Sequence, residues 1–116
     1  MDCKKLISIA LKAIDDKKGK DVVVLDIKDI SILADYFIIA SCMNKNQTEA
    51  MVEEIIEKLH KEEINIRAME GRSDSGWILM DYQDVIIHIF DEESRSFYDL
   101  ERIWGDSKRV ERSAFS

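Results

Sequence analysis

The residues with chemistry to offer are two histidines, two cysteines and a surplus of carboxylates, and spacing decides what each can do. His60 stands among Lys58, Lys61 and Glu62, which reads as a solvated helix surface. His88 lies in the run Val85-Ile-Ile-His-Ile-Phe90, where interface or packing work fits better than catalysis. Cys3 and Cys42 are too few for a disulfide framework or for a four-ligand zinc site. Cys42 follows an apolar run ending at Ala40 and is expected to be an inert, partly buried thiol. The chain has no G-x-S-x-G, P-loop, H-E-x-x-H or C-x-x-C pattern, and nothing gives a base an orienting partner.

Carboxylates could instead hold metal ions for phosphoryl transfer. A strand does this with two carboxylates at i and i+2, so that both face one way. The chain has no Asp-x-Asp; Asp91 and Glu93 have the spacing but open a helix, and Asp99 and Glu101 point to different sides of one. The expectation is no catalytic residue, no metal and no cofactor.

Charge narrows the partners. Lys and Arg number 17 against 24 Asp and Glu, a net charge of −7. A phosphate backbone repels such a chain unless it carries a concentrated basic patch. The densest basic stretch, Lys108, Arg109 and Arg112, is offset by Asp106 and Glu111. Little direct nucleic-acid contact is expected, and a basic protein partner is favoured. No apolar run approaches a membrane span, and the first twenty residues are charged throughout, so the expectation is a cytoplasmic protein without a membrane role.

The 116 residues make one domain with a single core. Leu6, Ile7, Ala10, Leu11 and Ile14 predict a helix over 3–17 closed by Gly19. Val22–Leu25 and Tyr36–Ala40 predict strands buried on both faces. Asn46 and Glu49 have capping-box spacing for a helix to about Glu63, and Ile64–Met69 is a weaker strand. Asp91-Glu92-Glu93 opens a last helix that buries Phe97, Leu100, Ile103 and Trp104 and stops at Gly105. Residues 108–116 are expected to be a flexible tail after a domain of 1–107.

The informative segment lies between. Residues 77–82 and 85–90 predict a hairpin around Gln83-Asp84. In that register Ile78, Met80, Tyr82, Val85, Ile87 and Ile89 share one face, an apolar one. The other carries Trp77, Leu79, Asp81, Ile86, His88 and Phe90. Apolar groups rimmed by charge mark a docking surface, whereas a covering of the chain's own helices would make this a second core.

Several ordered motifs resemble one known family. They are Asp35-Tyr36-Phe37-Ile-Ile-Ala40, Asn44 with Gln47, Glu70-Gly71, and Gly76-Trp77-x-Leu79-x-Asp81-Tyr82-x-Asp84-Val85. His88-x-Phe90 and Arg95-x-Phe97-Tyr98-x-Leu100-Glu101-x-x-Trp104 continue them. Over residues 3–107 the chain resembles the ribosomal silencing factors, or Iojap-like proteins. The resemblance implies an α/β fold with a mixed sheet of about five strands flanked by helices, nucleotidyltransferase-like in topology without its catalytic residues. It implies a repressor that binds the large ribosomal subunit through ribosomal protein number fourteen, blocks joining of the small subunit and lowers translation when nutrients are scarce. A homodimer when free is also implied, and a large-subunit assembly role is the alternative, ahead of a nucleotidyltransferase-like enzyme. The expected anchors are Trp77, Leu79 and Tyr82, with Asp81, Asp84 and His88 as polar partners for basic side chains. The chain departs from the family at Gln83, where Gly is usual, so this turn is expected either to strain at positive φ or to take a different loop geometry. It departs again at Ser41-Cys42-Met43-Asn44, where Thr-Gly more often precedes the Asn.

Overall fold

A computed structural model describes residues 2–115. Helix α1 (Cys3–Asp16) begins where Asp2 accepts the amide of Lys5 and ends where Lys18 turns left-handed, at φ 63°. Strands β1 (Lys20–Asp26) and β2 (Tyr36–Cys42) follow, antiparallel to each other. Helix α2 (Lys45–His60) is capped by Asn44, whose Oδ1 accepts the Gln47 amide at 2.8 Å. Gln47 reaches back to the amide of Met43, so the box sits two residues earlier than Asn46 and Glu49 suggested. The helix also ends earlier, with Glu63 left-handed beyond it.

Strand β3 (Ala68–Glu70) is shorter than expected, and β4 (Trp77–Asp81) and β5 (Val85–Asp91) form the hairpin in the expected register. Trp77 pairs with Phe90, Leu79 with His88 and Asp81 with Ile86. Strand β6 (Lys108–Val110) completes a six-stranded sheet ordered β3-β4-β5-β2-β1-β6, mixed because β2 and β5 are parallel. Two-sided burial of β2 follows from its central place.

One face of the sheet is closed. The stripes of α1 and α2, led by Leu6, Ile14, Met51 and Ile55, pack on Val24, Ile38, Ile78, Met80, Ile87 and Ile89. The other face is half closed. Leu25, Ile27, Ala34, Phe37, Ile39 and Phe90 form a second cluster there, with Leu100 and Trp104 packed against it.

Two expectations change. The last helix is interrupted, because Asp99 is left-handed at φ 48° and separates α3 (Glu92–Tyr98) from α4 (Leu100–Ile103). Leu100 and Trp104 still face the sheet, but Phe97 and Ile103 turn outward, 80% and 69% exposed. The segment expected to be a flexible tail is packed where it is described. Its Lys108–Val110 pair with β1, and Phe115 at the end of a 3-10 turn (Arg112–Phe115) is buried edge-on against Tyr36 at 6.1 Å. That tail supplies the sixth strand, and Ser116 lies outside the described residues.

Candidate docking face

Everything on the half-closed face depends on how β4 is held. Gly71 and Gly76 bracket the loop before it, both at positive φ (91° and 87°). A Cβ on Gly71 would lie 2.2 Å from the Trp77 carbonyl oxygen. One on Gly76 would lie 2.2 Å from Ser94 Oγ and 2.9 Å from Asp91 Oδ2. Only glycine lets the loop press this closely on the strand and on the start of α3. The Asp91 amide donates to the Gly76 carbonyl at 3.0 Å, and the Asp91 side chain caps α3 by accepting from Ser94. Trp77 thus enters the sheet at a fixed point.

Its indole lies in an aromatic group, stacked on Phe90 at 5.1 Å and touching Tyr98 of α3 at 4.7 Å. The indole remains half-buried, as do Leu79 and Ile86 beside it, so a strip of apolar surface stays open. Phe97, Tyr98 and Ile103 extend the apolar surface from α3 and α4. Ile32 and Leu33 are exposed in the loop whose Ile27 and Ala34 pack in the second cluster.

The polar residues divide. Asp81 is half-buried, its Oδ1 accepting the Gln83 amide at 2.7 Å and its Oδ2 3.3 Å from Arg67. Asp84 holds β2 through its carbonyl, which accepts the amides of Asp35 and Tyr36, and leaves its side chain partly exposed. Tyr82 and His88 do not reach the surface. Alternation sends Tyr82 into the helix-covered core, where it is 1% exposed with its hydroxyl unpartnered, and burial pushes its pKa up to about 12. His88 is on the correct face but under it, 3% exposed, because Trp77, Phe37 and Phe90 roof the middle of β5. This burial corrects two expectations: Tyr82 is not a surface anchor, and His88 is not a direct partner for basic side chains.

Burial lowers the His88 pKa to about 4, and no carboxylate orients it. Cys42 is fully buried, its thiol pKa raised by desolvation. His60 is an exposed residue whose ring pairs with Asn65. Among the described residues no group of three or more His, Cys, Asp and Glu could hold a metal ion, and no helix is long and apolar enough to cross a membrane. The face combines a half-buried apolar strip with flanking carboxylates, the composition typical of recognition surfaces.

The sequence profile described as "Ribosomal silencing factor during starvation" matches residues 1–116. The chain belongs to that family. It is 37% identical over 111 residues to the ribosomal silencing factor of Halalkalibacterium halodurans, covering 96% of this chain and 95% of that one. It is 38% identical over 107 residues to that of Bacillus subtilis, covering 92% and 91%. A crystal structure of a Chromobacterium violaceum protein superposes with a TM-score of 0.85 at 31% identity, covering 90% of this chain and 88% of that one. The α/β fold with a mixed sheet is therefore shared with the family's solved structures.

Sequence reasoning missed Tyr98, Phe97 and the exposed pair Ile32 and Leu33 as parts of this side. The αL turn at Asp99 that swings Phe97 outward has no marker in an Asp-Leu dipeptide, since Gly or Asn is the usual sign of such a turn.

Proposed function

We propose that this protein is a translational repressor that docks on the large ribosomal subunit, against its basic ribosomal protein number fourteen, and prevents the small subunit from joining by occupying its place. Membership of the silencing-factor family supports the ribosomal target. The observation that carries the docking mode is the open strip of Trp77, Leu79 and Ile86 beside Asp81, on a chain of net charge −7. Trp77 and Leu79 anchor it, and Asp81 and Asp84 meet cations. Tyr82 and His88 support from behind.

No bond is made or broken. A folded body on the joining surface is enough, so repression follows affinity and abundance, and an interface of roughly 1,200–2,000 Å² serves for specific binding. The acidic balance leaves little contact with ribosomal RNA. Ile32, Leu33, Phe97 and Ile103 offer further apolar surface through which the free protein pairs with a second copy.

Co-sedimentation with purified large subunits tests the reading. Trp77→Ala and Asp81→Lys should each weaken binding about tenfold or more, as centrally placed anchors do. Wild-type binding by both folded variants would place the docking surface elsewhere.

A further inference from the structure

Among the described residues His88 is the one buried titratable side chain on the open side of the sheet, and the docking reading gives it no contact of its own. Its surroundings are known ring by ring. Phe37 of β2 stands across it at 4.6 Å and 79°, and Phe90 of its own strand lies at 6.3 Å and 12°. Trp77 of β4 covers it at 5.9 Å and also donates its indole N–H to His88 Nδ1 at 3.1 Å.

An indole nitrogen only donates, so Nδ1 must accept, and a neutral imidazole must then carry its proton on Nε2. That Nε2–H is buried with no hydrogen-bond partner. A leucine or phenylalanine would fill this apolar site without stranding a donor. What the imidazole adds is an acceptor beneath Trp77.

We propose that His88 is a positioning residue for docking: as the fixed Nε2–H tautomer it holds the Trp77 indole by its N–H, so that the ring meets the partner already oriented and with only apolar edge exposed. The inference rests on the docking reading above. Its physical basis is preorganisation. A free indole has two side-chain torsions to lose on binding and an N–H to desolvate, and this hydrogen bond settles both before the partner arrives. Three charged groups near the pocket, Asp81, Arg95 and Glu101, are engaged with other partners. On β4 Asp81 pairs with Arg67; from α3 and α4 Arg95 pairs with Glu101 and donates to Ser41 of β2. Tyr98 of α3 touches Trp77, and Glu70 of β3 pairs in register with Leu79.

The experiment has a structural and a binding arm. In nitrogen-15 spectra of the full chain at neutral pH, with Trp104→Phe assigning the two indoles, His88 should show a protonated Nε2. The Trp77 indole proton should exchange slowly, and it should exchange freely in His88→Leu. An Nδ1–H tautomer or a freely exchanging wild-type indole would overturn the proposal. In large-subunit co-sedimentation His88→Leu should weaken binding about three- to tenfold. His88→Asn, whose amide oxygen can stand where Nδ1 stood, should recover much of it. Loss of this order with rescue by Asn supports positioning, because a merely structural role predicts that the better-filled Leu variant binds at least as well. If Trp77→Ala loses binding while His88→Leu keeps it, positioning is wrong and docking stands. If Trp77→Ala itself binds normally, both fall.

Discussion

The indole of Trp77 and the imidazole of His88 are diagonal neighbours across β4 and β5, Trp77 pairing with Phe90 and His88 with Leu79, and are joined by a 3.1 Å hydrogen bond, with the histidine sealed beneath. This arrangement makes the protein's stability depend on pH with a definite sign. Burial lowers the folded-state pKa of His88 from 6.5 to about 4, so between those values the unfolded chain binds the proton and the native state does not. Stability is complete above about pH 6.5 and falls as the pH drops through that window. The difference is on the order of 3 kcal/mol at its limit. Urea melts from pH 7.5 down to 4 should show wild type losing stability relative to His88→Leu. Parallel curves for the two would mean that the imidazole is hydrated in the folded state.

The hairpin turn carries a separate strain. Gln83 sits at φ 78° with its side chain exposed, between the 82–85 hydrogen bond and the Asp81 carboxylate that receives its amide. A left-handed backbone costs an L-residue about 1–2 kcal/mol, and glycine escapes that cost while giving up some chain entropy. Gln83→Gly should therefore raise stability by about 0.5–1 kcal/mol. Chemical denaturation should show a higher midpoint at an unchanged slope. A fall in the midpoint would mean that the side chain contributes contacts that outweigh the strain.

Where periodicity is strict, the fold could be read from the residues alone. The β4–β5 register, the two-sided burial of β2 and the stripes of α1 and α2 follow from the order of apolar residues, because a slip would bring polar groups into the core. At Gln83 the sequence leaves positive φ and a different loop geometry both open, and the turn takes the positive φ that tight hairpin loops favour. The site was legible as a face and not as a surface. Alternation places Trp77, Leu79 and His88 together, but only the thickness of the aromatic layer decides which of them solvent reaches. The C-terminal segment gave little signal. Its strand is three residues long at an edge, and a single aromatic, Phe115, fastens it.

That fastening can be tested directly. Phe115 is 7% exposed, joins the helix-covered cluster and meets Tyr36 edge-on, while Arg112 pairs with Asp15 of α1. Phe115→Ala removes the ring from a site near the molecular edge, where neighbours can partly collapse, so a loss of about 2–3 kcal/mol is expected, at the low end for a buried phenylalanine. Thermal melting reads this, and large-subunit binding below the transition should stay at the wild-type level because the proposed docking face lies on the other side of the sheet. An unchanged melting temperature would show that the segment contributes nothing to the core.

Gly76 connects the backbone to the proposed docking face. At φ 87° it occupies a region that other residues enter at a cost of about 1–3 kcal/mol, and a Cβ there would collide with Ser94 Oγ and crowd Asp91 Oδ2. Both belong to the residues of the N-terminal cap of α3, where the Ser94 amide donates to Asp91 Oδ1, and α3 is the helix that brings Tyr98 against Trp77. Gly76→Ala should therefore lower stability by at least about 2 kcal/mol and also loosen the contact between α3 and the indole. Removing the obstacle separates the two effects. In a Ser94→Ala background the collision with Oγ disappears but the positive φ remains, so Gly76→Ala should cost less there than in wild type. A double-mutant cycle in urea measures this coupling, and strict additivity would mean that the loop adjusts without pressing on α3.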